Sequence, residues 1–359
     1  MTLFGDAYRG RRVLLTGHTG FKGSWLALWL KRLGADVTGV ALPPETTPNH
    51  WELLKLDMAE HRLDIRDGAA LARVVADVQP EIVFHLAAQP LVRRSYREPV
   101  DTWSTNVIGT ANLLESCRHA ANVRGILVVT SDKCYENREW VWGYREADRL
   151  GGHDPYSASK AATELLVASY RSSFMHMADA ALLASARAGN VIGGGDWSED
   201  RLIPDLVRAA EAGCEVEIRS PESTRPWQHV LESLSGYLLL GQRLLDGARD
   251  AAAPWNFGPA AEGNQSVRTV MSRISELWPR MRWRVAEQAN VHEARLLYLD
   301  SAKAHADLQW QPVWGLDGAL AATVAWYRAW LERGEIVSTQ QLDQYIDAAT
   351  RAGLAWCAA

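Results

Sequence analysis

The apolar run Arg12-Val13-Leu14-Leu15-Thr16 stops abruptly at Gly17-His18-Thr19-Gly20-Phe21-Lys22-Gly23. Apolar residues then recur at helical spacing from Lys22 to Leu33, and Gly34 follows as a stop signal. Asp36 to Val40 reads as a second buried strand. Strand, glycine turn, helix and strand make a βαβ unit. Its crossover is right-handed, so the two strands lie parallel with a helix across one face. The glycines at 17, 20 and 23 each meet a separate demand of a dinucleotide-binding turn. One allows the tight turn, the next lets the backbone approach a pyrophosphate, and the last lets helix and strand pack closely. Free N–H groups at the helix start then face the phosphates. The spacing is TGxxGxxG, not the GxGxxG of the simplest dehydrogenases.

The alternation continues beyond this unit. Arg62–Ile65, Glu81–Ala88, Gly125–Thr130 and Ala181–Ala186 read as strands. Gly68–Val78, Val100–His119 and Tyr156–Ser173 read as helices. This predicts an α/β fold, a Rossmann-type doubly wound parallel sheet with a smaller, mixed C-terminal substrate-binding part. After Gly189 the pattern changes to Gly-, Pro- and Trp-rich loops, with helices expected at Ile203–Ala212, Leu231–Leu245 and Leu316–Arg333. The expected division is residues 1–189 for the dinucleotide and 190–359 mainly for substrate, with some later segments returning to the sheet.

Composition removes several function classes. The formal charge is −5, which argues against nucleic-acid binding by bulk charge. No apolar run approaches the ~18–20 residues of a membrane span, and the N-terminus lacks a signal pattern, so a cytoplasmic protein is expected. Cys117, Cys134, Cys214 and Cys357 are scattered without a CxxC pair, so neither a disulfide scaffold nor a metal site is expected. Tryptophan is abundant, with 16 residues against 5 phenylalanines. Trp25 with Trp29, and Trp326 with Trp330, share helix faces and read as packing pairs. Trp197 and Trp227 fall instead in the loop segments GGGDW and RPWQHV.

Tyr156-Ser157-Ala158-Ser159-Lys160 sets a phenol and an ammonium one helical turn apart. A nearby ammonium favours the phenolate, so the pair can take a proton from a sugar hydroxyl as hydride leaves its carbon. Thr130-Ser131-Asp132-Lys133-Cys134-Tyr135 lies at the carboxyl end of the fifth strand, where ligands sit in such sheets. A hydroxyl there can bond an oxygen that becomes a carbonyl, and an acid beside it can protonate a leaving hydroxyl. The same residues would also make a simple Asx turn. His85 reads as a packing residue, and Leu86-Ala87-Ala88 as small residues passing the cofactor.

The acid expected at the end of the second strand, to bind a ribose 2′-hydroxyl, is missing from Val40-Ala41-Leu42-Pro43-Pro44. Lys22 and Arg62 would favour NADP, whereas Asp64 and Ile65 after the third strand would hold the adenosine of either cofactor. The choice between NAD and NADP stays open on these residues.

The segments TGHTGFKG, HLAAQP, TSDKCY, YSASK, RAGNVIGGGDW and TRPWQHV together resemble the extended short-chain dehydrogenase/reductase family, over nearly the whole chain from Arg12 to Tyr327. Within it they are most similar to the CDP-glucose 4,6-dehydratase group. The resemblance implies NAD as cofactor and an internal redox cycle on a nucleotide sugar: oxidation at C4, loss of water across C5 and C6, and return of hydride to C6. It implies Tyr156 as base for the 4-hydroxyl, Lys160 as its electrostatic partner and Ser131 as hydrogen-bond partner of the 4-oxygen. Asp132 would be the acid for the 6-hydroxyl, its pKa raised by burial or a neighbouring charge. Lys133 stands where the dTDP-glucose enzymes carry glutamate as C5 base, and a contact to phosphate or cofactor is its other reading. Asn190 and Arg225 would hold the substrate diphosphate, helped by Arg201 and Arg219, with Trp227 lining the nucleotide pocket. Asn106 would prop the active-site backbone. A homodimer through helices 100–119 and 156–173 is implied too. A 4-epimerase, a dehydratase of another nucleotide sugar, and a non-catalytic dinucleotide sensor are the alternatives.

Overall fold

The computed structural model describes residues 2–286 and 296–357. Seven parallel strands form the central sheet: β1 (Arg12–Thr16), β2 (Asp36–Ala41), β3 (Ala59–Arg62), β4 (Ile82–His85), β5 (Gly125–Val129), β6 (Leu182–Ala188) and β7 (Pro254–Phe257). Their spatial order is 7-6-5-4-1-2-3. The order reverses between β1 and β4, and a crevice opens there at the strands' carboxyl ends.

Strand periodicity builds two cores. Val13, Leu15, Ile82, Phe84, Leu127 and Ala184 face one side with Trp25 and Trp29 of α1 (Phe21–Arg32). Leu14, Val83, Ile126, Val128 and Leu183 alternate to the other side. There they meet Leu71, Val74 and Val75 of α2 (Gly68–Val78), Leu113 and Leu114 of α3 (Gly109–Arg118), and Val167 of α4 (Pro155–Ser173). A sheet covered on both faces needs continuous apolar strands, which is how β1, β4 and β5 read.

Three expectations need correction. The third strand ends at Arg62 instead of beginning there, because Ala59–Arg62 is an exposed edge strand without an apolar face. The fourth strand is shorter than expected and stops at His85. The helix expected over 100–119 is two helices, Pro99–Trp103 and α3, joined by a π-helical turn at Ser104–Ile108. From the C-terminal half, α5 (Val230–Leu245) packs on the sheet beside α1. Its burial nearly all round, from Val230 to Gly241, fits an element wedged between layers and not a cap. The chain then adds β7 at the sheet edge, a four-residue strand opened by proline.

The rest of the C-terminal half is built from small pieces. Glu215–Ile218 pairs with Arg282–Val285, and Thr224–Pro226 with Asn264–Ser266. The helix Leu202–Ala212 borders the crevice, while α6 (Leu316–Arg333) and α7 (Ser338–Arg351) close over the α1 side. Among the described residues no helix is long and apolar enough to cross a membrane.

Candidate active site

A cleft of about 2290 Å³ runs along the carboxyl ends of the strands. A pocket for one small ligand spans roughly 300–1,000 Å³, so two ligands fit side by side. Gly17, Gly20, Phe21, Lys22 and Gly23 form one end of its floor. Gly17 has φ +76°, and a Cβ there would lie 2.6 Å from the Ala87 amide nitrogen. A Cβ on Gly23 would lie 2.0 Å from the Gly17 carbonyl oxygen. Helix, turn and fourth strand therefore touch through bare backbone. No side chain caps the first turn of α1, so its amides are available to an anion. This cradle fits the pyrophosphate of a dinucleotide.

Asp64, Ile65, Leu86, Ala87 and Ala88 line the same end. Asp64 accepts from the Arg66 amide at 2.9 Å and is paired with the Arg66 guanidinium, which holds its carboxyl below the usual range. Ile65 is buried, and its side chain fills the space left by Gly109. Arg62 lies near this rim, paired to Glu60 at 2.9 Å and reaching the Leu42 carbonyl. Lys22 corrects the expectation that it would favour a ribose phosphate. Its ammonium is buried against the Tyr237 hydroxyl of α5 at 3.3 Å, and its charge is felt by Asp132 and Lys160. Burial, with Arg201 and Lys160 nearby, pulls it down to about 7.

The reactive end forms where β5 stops. Ser131 is extended and caps the short turn Asp132–Cys134, accepting from the Lys133 amide at 3.2 Å. Its hydroxyl donates to Asp132 Oδ1 at 2.9 Å. Asp132 is buried, and its Oδ2 has no hydrogen-bond partner among the described residues. Gly189 borders that oxygen, where a Cβ would stand 3.2 Å away. Lys133 is half-buried at the cleft wall.

Tyr156 enters from the first turn of α4, which Asp154 caps and Pro155 opens. Its phenol lines the same cleft as Ser131 and Asp132. Both members of the Tyr–Lys pair are buried and line the cleft. Burial pushes the Tyr156 phenol up to about 12 and pulls Lys160 down to about 8. The lowering expected for the phenol does not prevail in the chain alone, because desolvation disfavours both charged forms. Lys160 Nζ lies 3.5 Å from the Val129 carbonyl and remains largely protonated at pH 7.

Three supports went unread or half-read in the sequence. Asn106, inside the π turn, bonds both backbone groups of Gln89 (2.8 and 3.1 Å) and Ser159 Oγ (2.9 Å), which ties α4 to the loop after β4. His85 is wedged between Thr16 and Thr110 at 2.7 and 3.0 Å, and burial holds it neutral with a pKa near 3. Below Lys160 lies Glu164, one turn further along α4. It pairs with Arg187 of β6 at 2.8 Å and accepts from Thr130 and Ser185. Arg187 also donates to Tyr135 Oη, which donates to Asn256 of β7. Glu164 sits four residues after Lys160, a spacing that could have pointed to it; Arg187 carries no local signal.

The residues expected to meet substrate line the far wall. Asn190, Arg201, Arg219, Arg225 and Trp227 all face the cleft. Arg201 is loosely paired with Asp196 at 3.4 Å, and its charge reaches Tyr156 and Lys22. Arg225 donates to the Thr224 carbonyl. Trp227 is buried and donates to the Gln265 carbonyl at 3.0 Å. Trp197 borders the cleft too, packed edge-on against Trp326, Tyr327 and Trp330. The turn that follows β1, β5 and α4 thus meets a wall supplied from residues 190–227.

Comparison with known proteins agrees with this construction. A family model described as GDP-mannose 4,6 dehydratase matches residues 14–323. The chain is 49% identical over 354 residues to the CDP-glucose 4,6-dehydratase of Salmonella typhimurium, covering 96% of this chain and 98% of that protein. It is 27% identical to a dTDP-glucose 4,6-dehydratase of Xanthomonas campestris, covering 88% and 92%. Among solved structures, MoeE5 in complex with UDP-glucose and NAD aligns with a TM-score of 0.74 at 29% identity, covering 89% and 99%. An epimerase from Methanothermobacter thermautotrophicus aligns at 0.81 with 24% identity over 91% and 95%, a likeness of fold alone. With a family model over most of its length, the chain belongs to the nucleotide-sugar 4,6-dehydratase family of the extended short-chain dehydrogenase/reductases.

Proposed function

We propose that the chain converts CDP-glucose to CDP-4-keto-6-deoxyglucose and water. The observation that carries this reading is the buried Asp132, hydrogen-bonded by Ser131 in the same cleft as the Tyr156 phenol. An epimerase needs the phenol but no acid for a leaving hydroxyl. NAD, when bound, would supply the redox chemistry by accepting and returning a hydride. The free amides of the first turn of α1, beside Gly20, would hold its pyrophosphate, Asp64 and Ile65 its adenosine, and Leu86 to Ala88 would flank it.

Tyr156 receives the proton of the 4-hydroxyl, and Ser131 holds the 4-oxygen as it becomes a carbonyl. The Lys160 ammonium stabilises negative charge growing on the phenol. The new 4-keto group acidifies the C5 proton, which Lys133 removes and later returns. Asp132 protonates the 6-hydroxyl so that it leaves as water. Arg225, Arg201 and Arg219 grip the diphosphate with Asn190, and Trp227 lines the nucleotide pocket. Residues 190–359 form mainly the substrate-binding part, with α5 and β7 as the segments that return to the sheet.

The test is a panel of CDP-, dTDP-, GDP- and UDP-glucose with NAD and NADP supplied separately. The alkali-dependent absorbance of a 4-keto-6-deoxy sugar should appear with CDP-glucose and NAD. Turnover of another sugar nucleotide alone would overturn the substrate and leave the chemistry standing. Asp132→Asn should lower turnover by ~10²–10⁴-fold; an unchanged rate would favour epimerisation.

We further propose a cytoplasmic homodimer. Val100, Ile108 and Leu165 are 79%, 54% and 61% exposed on the helices at 99–118 and 155–173. A shared four-helix face would cover them. Leu165→Asp should shift sedimentation towards the monomer.

A further inference from the structure

Ser131, Asp132 and Lys133 share one short segment that leaves the sheet at Thr130, whose amide donates to the Ala186 carbonyl at 2.9 Å. Within the segment the Cys134 amide donates to the Ser131 carbonyl at 3.2 Å, and the Tyr135 amide to the Asp132 carbonyl at 3.5 Å. Both are turn contacts, and neither ties the segment to the rest of the molecule. Side chains at its two ends do that. Thr130 Oγ1 donates to Glu164, and Tyr135 Oη accepts from Arg187 at 2.7 Å. Glu164 and Arg187 face each other at 2.8 Å and are buried, so both ends hang on one ion pair. Glu164 belongs to α4, one turn beyond Lys160 and two beyond Tyr156. The pair therefore sets the segment in register with the helix that carries the phenol.

The two ends are not held alike. Thr130 stays bonded to β6 through its main chain whatever its side chain does. The main chain around Tyr135 bonds to the loop at 149–151, through Glu136 to Arg149 and Gly151 to Cys134, each at 2.9 Å. The Tyr135 hydroxyl is what links this end to the sheet. It accepts from Arg187 of β6 and donates to Asn256 Oδ1 of β7 at 2.7 Å, and all three side chains are buried. Its ring is stacked on Tyr144 at 5.1 Å, so packing and hydroxyl are separable.

We propose that the Tyr135 hydroxyl is a positioning group for the elimination half of the reaction, keeping Asp132 and Lys133 in register with Tyr156, while the oxidation half depends on it little. This rests on the dehydratase reading. Oxidation uses Tyr156 on α4 and Ser131 beside the sheet-held end. Loss of water breaks a C5–H and a C6–O bond, so Lys133 and Asp132, nearer the Tyr135 end, must both be in place at once. A misplacement of about 1 Å costs on the order of a hundredfold in rate.

The test uses Tyr135→Phe holoenzyme, which keeps the ring and removes the hydroxyl. With CDP-glucose, kcat should fall roughly tenfold to a hundredfold at unchanged KM. Quenched turnover mixtures should then contain reduced nicotinamide and CDP-4-ketoglucose, oxidised at C4 with its 6-hydroxyl still present. With CDP-6-deoxyglucose, which permits only the oxidation, stopped-flow formation of reduced nicotinamide should stay within about twofold of wild type. Arg187→Lys keeps a charge for Glu164 but loses the planar fork that spans Glu164 and Tyr135, and should shift the balance the same way. Equal slowing of oxidation and overall turnover in both variants would mean that the hydroxyl only supports the fold, and would overturn the proposal. Unchanged turnover in Tyr135→Phe would overturn it too. Wild type that yields neither reduced nicotinamide nor a 4-keto sugar from CDP-glucose would instead overturn the dehydratase reading.

Discussion

Two glutamates lie buried in opposite parts of this molecule and are held in opposite ways. Glu164, beneath the reactive end of the cleft, faces the Arg187 guanidinium at 2.8 Å and accepts from Thr130 and Ser185. The cation outweighs burial and keeps its carboxyl below the usual range. Glu232, in the first turn of α5, meets no cation among the described residues. It accepts from the amides of Val313 and Trp314 and from the Tyr345 hydroxyl, each at 2.8 Å. Burial wins there and pushes it up to about 7. The first carboxylate serves chemistry, since its charge helps keep Lys160 protonated. The second serves architecture, by pinning residues 313–314 and α7 onto the core. A buried carboxylate near an active site is therefore not by itself a catalytic signal; the partner decides.

Breaking the first arrangement should cost most. Glu164→Ala leaves Arg187 buried without its carboxylate, and unfolding by denaturant should show a loss of ~3–5 kcal/mol. Glu164→Gln should lose less. A loss below ~1 kcal/mol in Glu164→Ala would mean that the pair is solvated and the contrast with Glu232 is false.

The pH dependences should run in opposite directions. The folded pKa of Glu164 lies below its unfolded value, so its contribution is present above the unfolded pKa and is lost as pH falls through the folded one. The folded pKa of Glu232 lies above its unfolded value of 4.5, so its contribution is whole below that pH and is lost as pH rises through about 7. The second effect is on the order of 3 kcal/mol. Relative to wild type, Glu232→Gln should therefore gain stability as pH rises from 4.5 to 7. Parallel stability curves for the two proteins would break the comparison.

The substrate wall offers a milder contrast. Arg201 is half-exposed and only loosely paired, and Asp196 keeps the Ser198 amide at 3.0 Å and hydroxyl at 2.7 Å. Arg201→Ala should raise KM about tenfold, as expected for loss of one charged hydrogen bond, with stability changed by less than ~1 kcal/mol. A fall in kcat with KM unchanged would move Arg201 from substrate binding to the reacting groups. Tryptophan fluorescence gives the smallest effect. Quenching by CDP-glucose should weaken in Trp227→Phe at the cleft and survive in Trp29→Phe, which is buried against Phe4, Tyr345 and Trp356. Equal quenching would erase the division between packing and cleft tryptophans.

Much of this was legible in the chain because the informative residues are local. The run Arg12–Thr16 and the glycines at 17, 20 and 23 act within one turn of one another. The same holds for Ser131 with Asp132 and for Tyr156 with Lys160. The elements whose place or shape is not legible depend on distant partners. Val230–Leu245 looks like any apolar helix, and only the space between α1 and the sheet gives it a place. The π turn at Ser104–Ile108 has no propensity signature, and it coincides with the hydrogen bonds Asn106 makes to Gln89 and Ser159. Lys22 was read at the phosphate end because its neighbours in sequence are the glycines. Its side chain instead runs to Tyr237, 215 residues away.

The amino-acid sequence by itself determined the βαβ sheet, the glycine cradle and the short motifs that carry hydroxyl, acid, phenol and ammonium, because periodicity and turn chemistry act over a few residues. Tertiary structure alone decided their working state. The phenol is raised, Lys160 and Lys22 are lowered, and Glu164 and Glu232 are driven apart. Each of those outcomes is set by burial and by charges brought in from other elements, and neither quantity exists until the chain has folded.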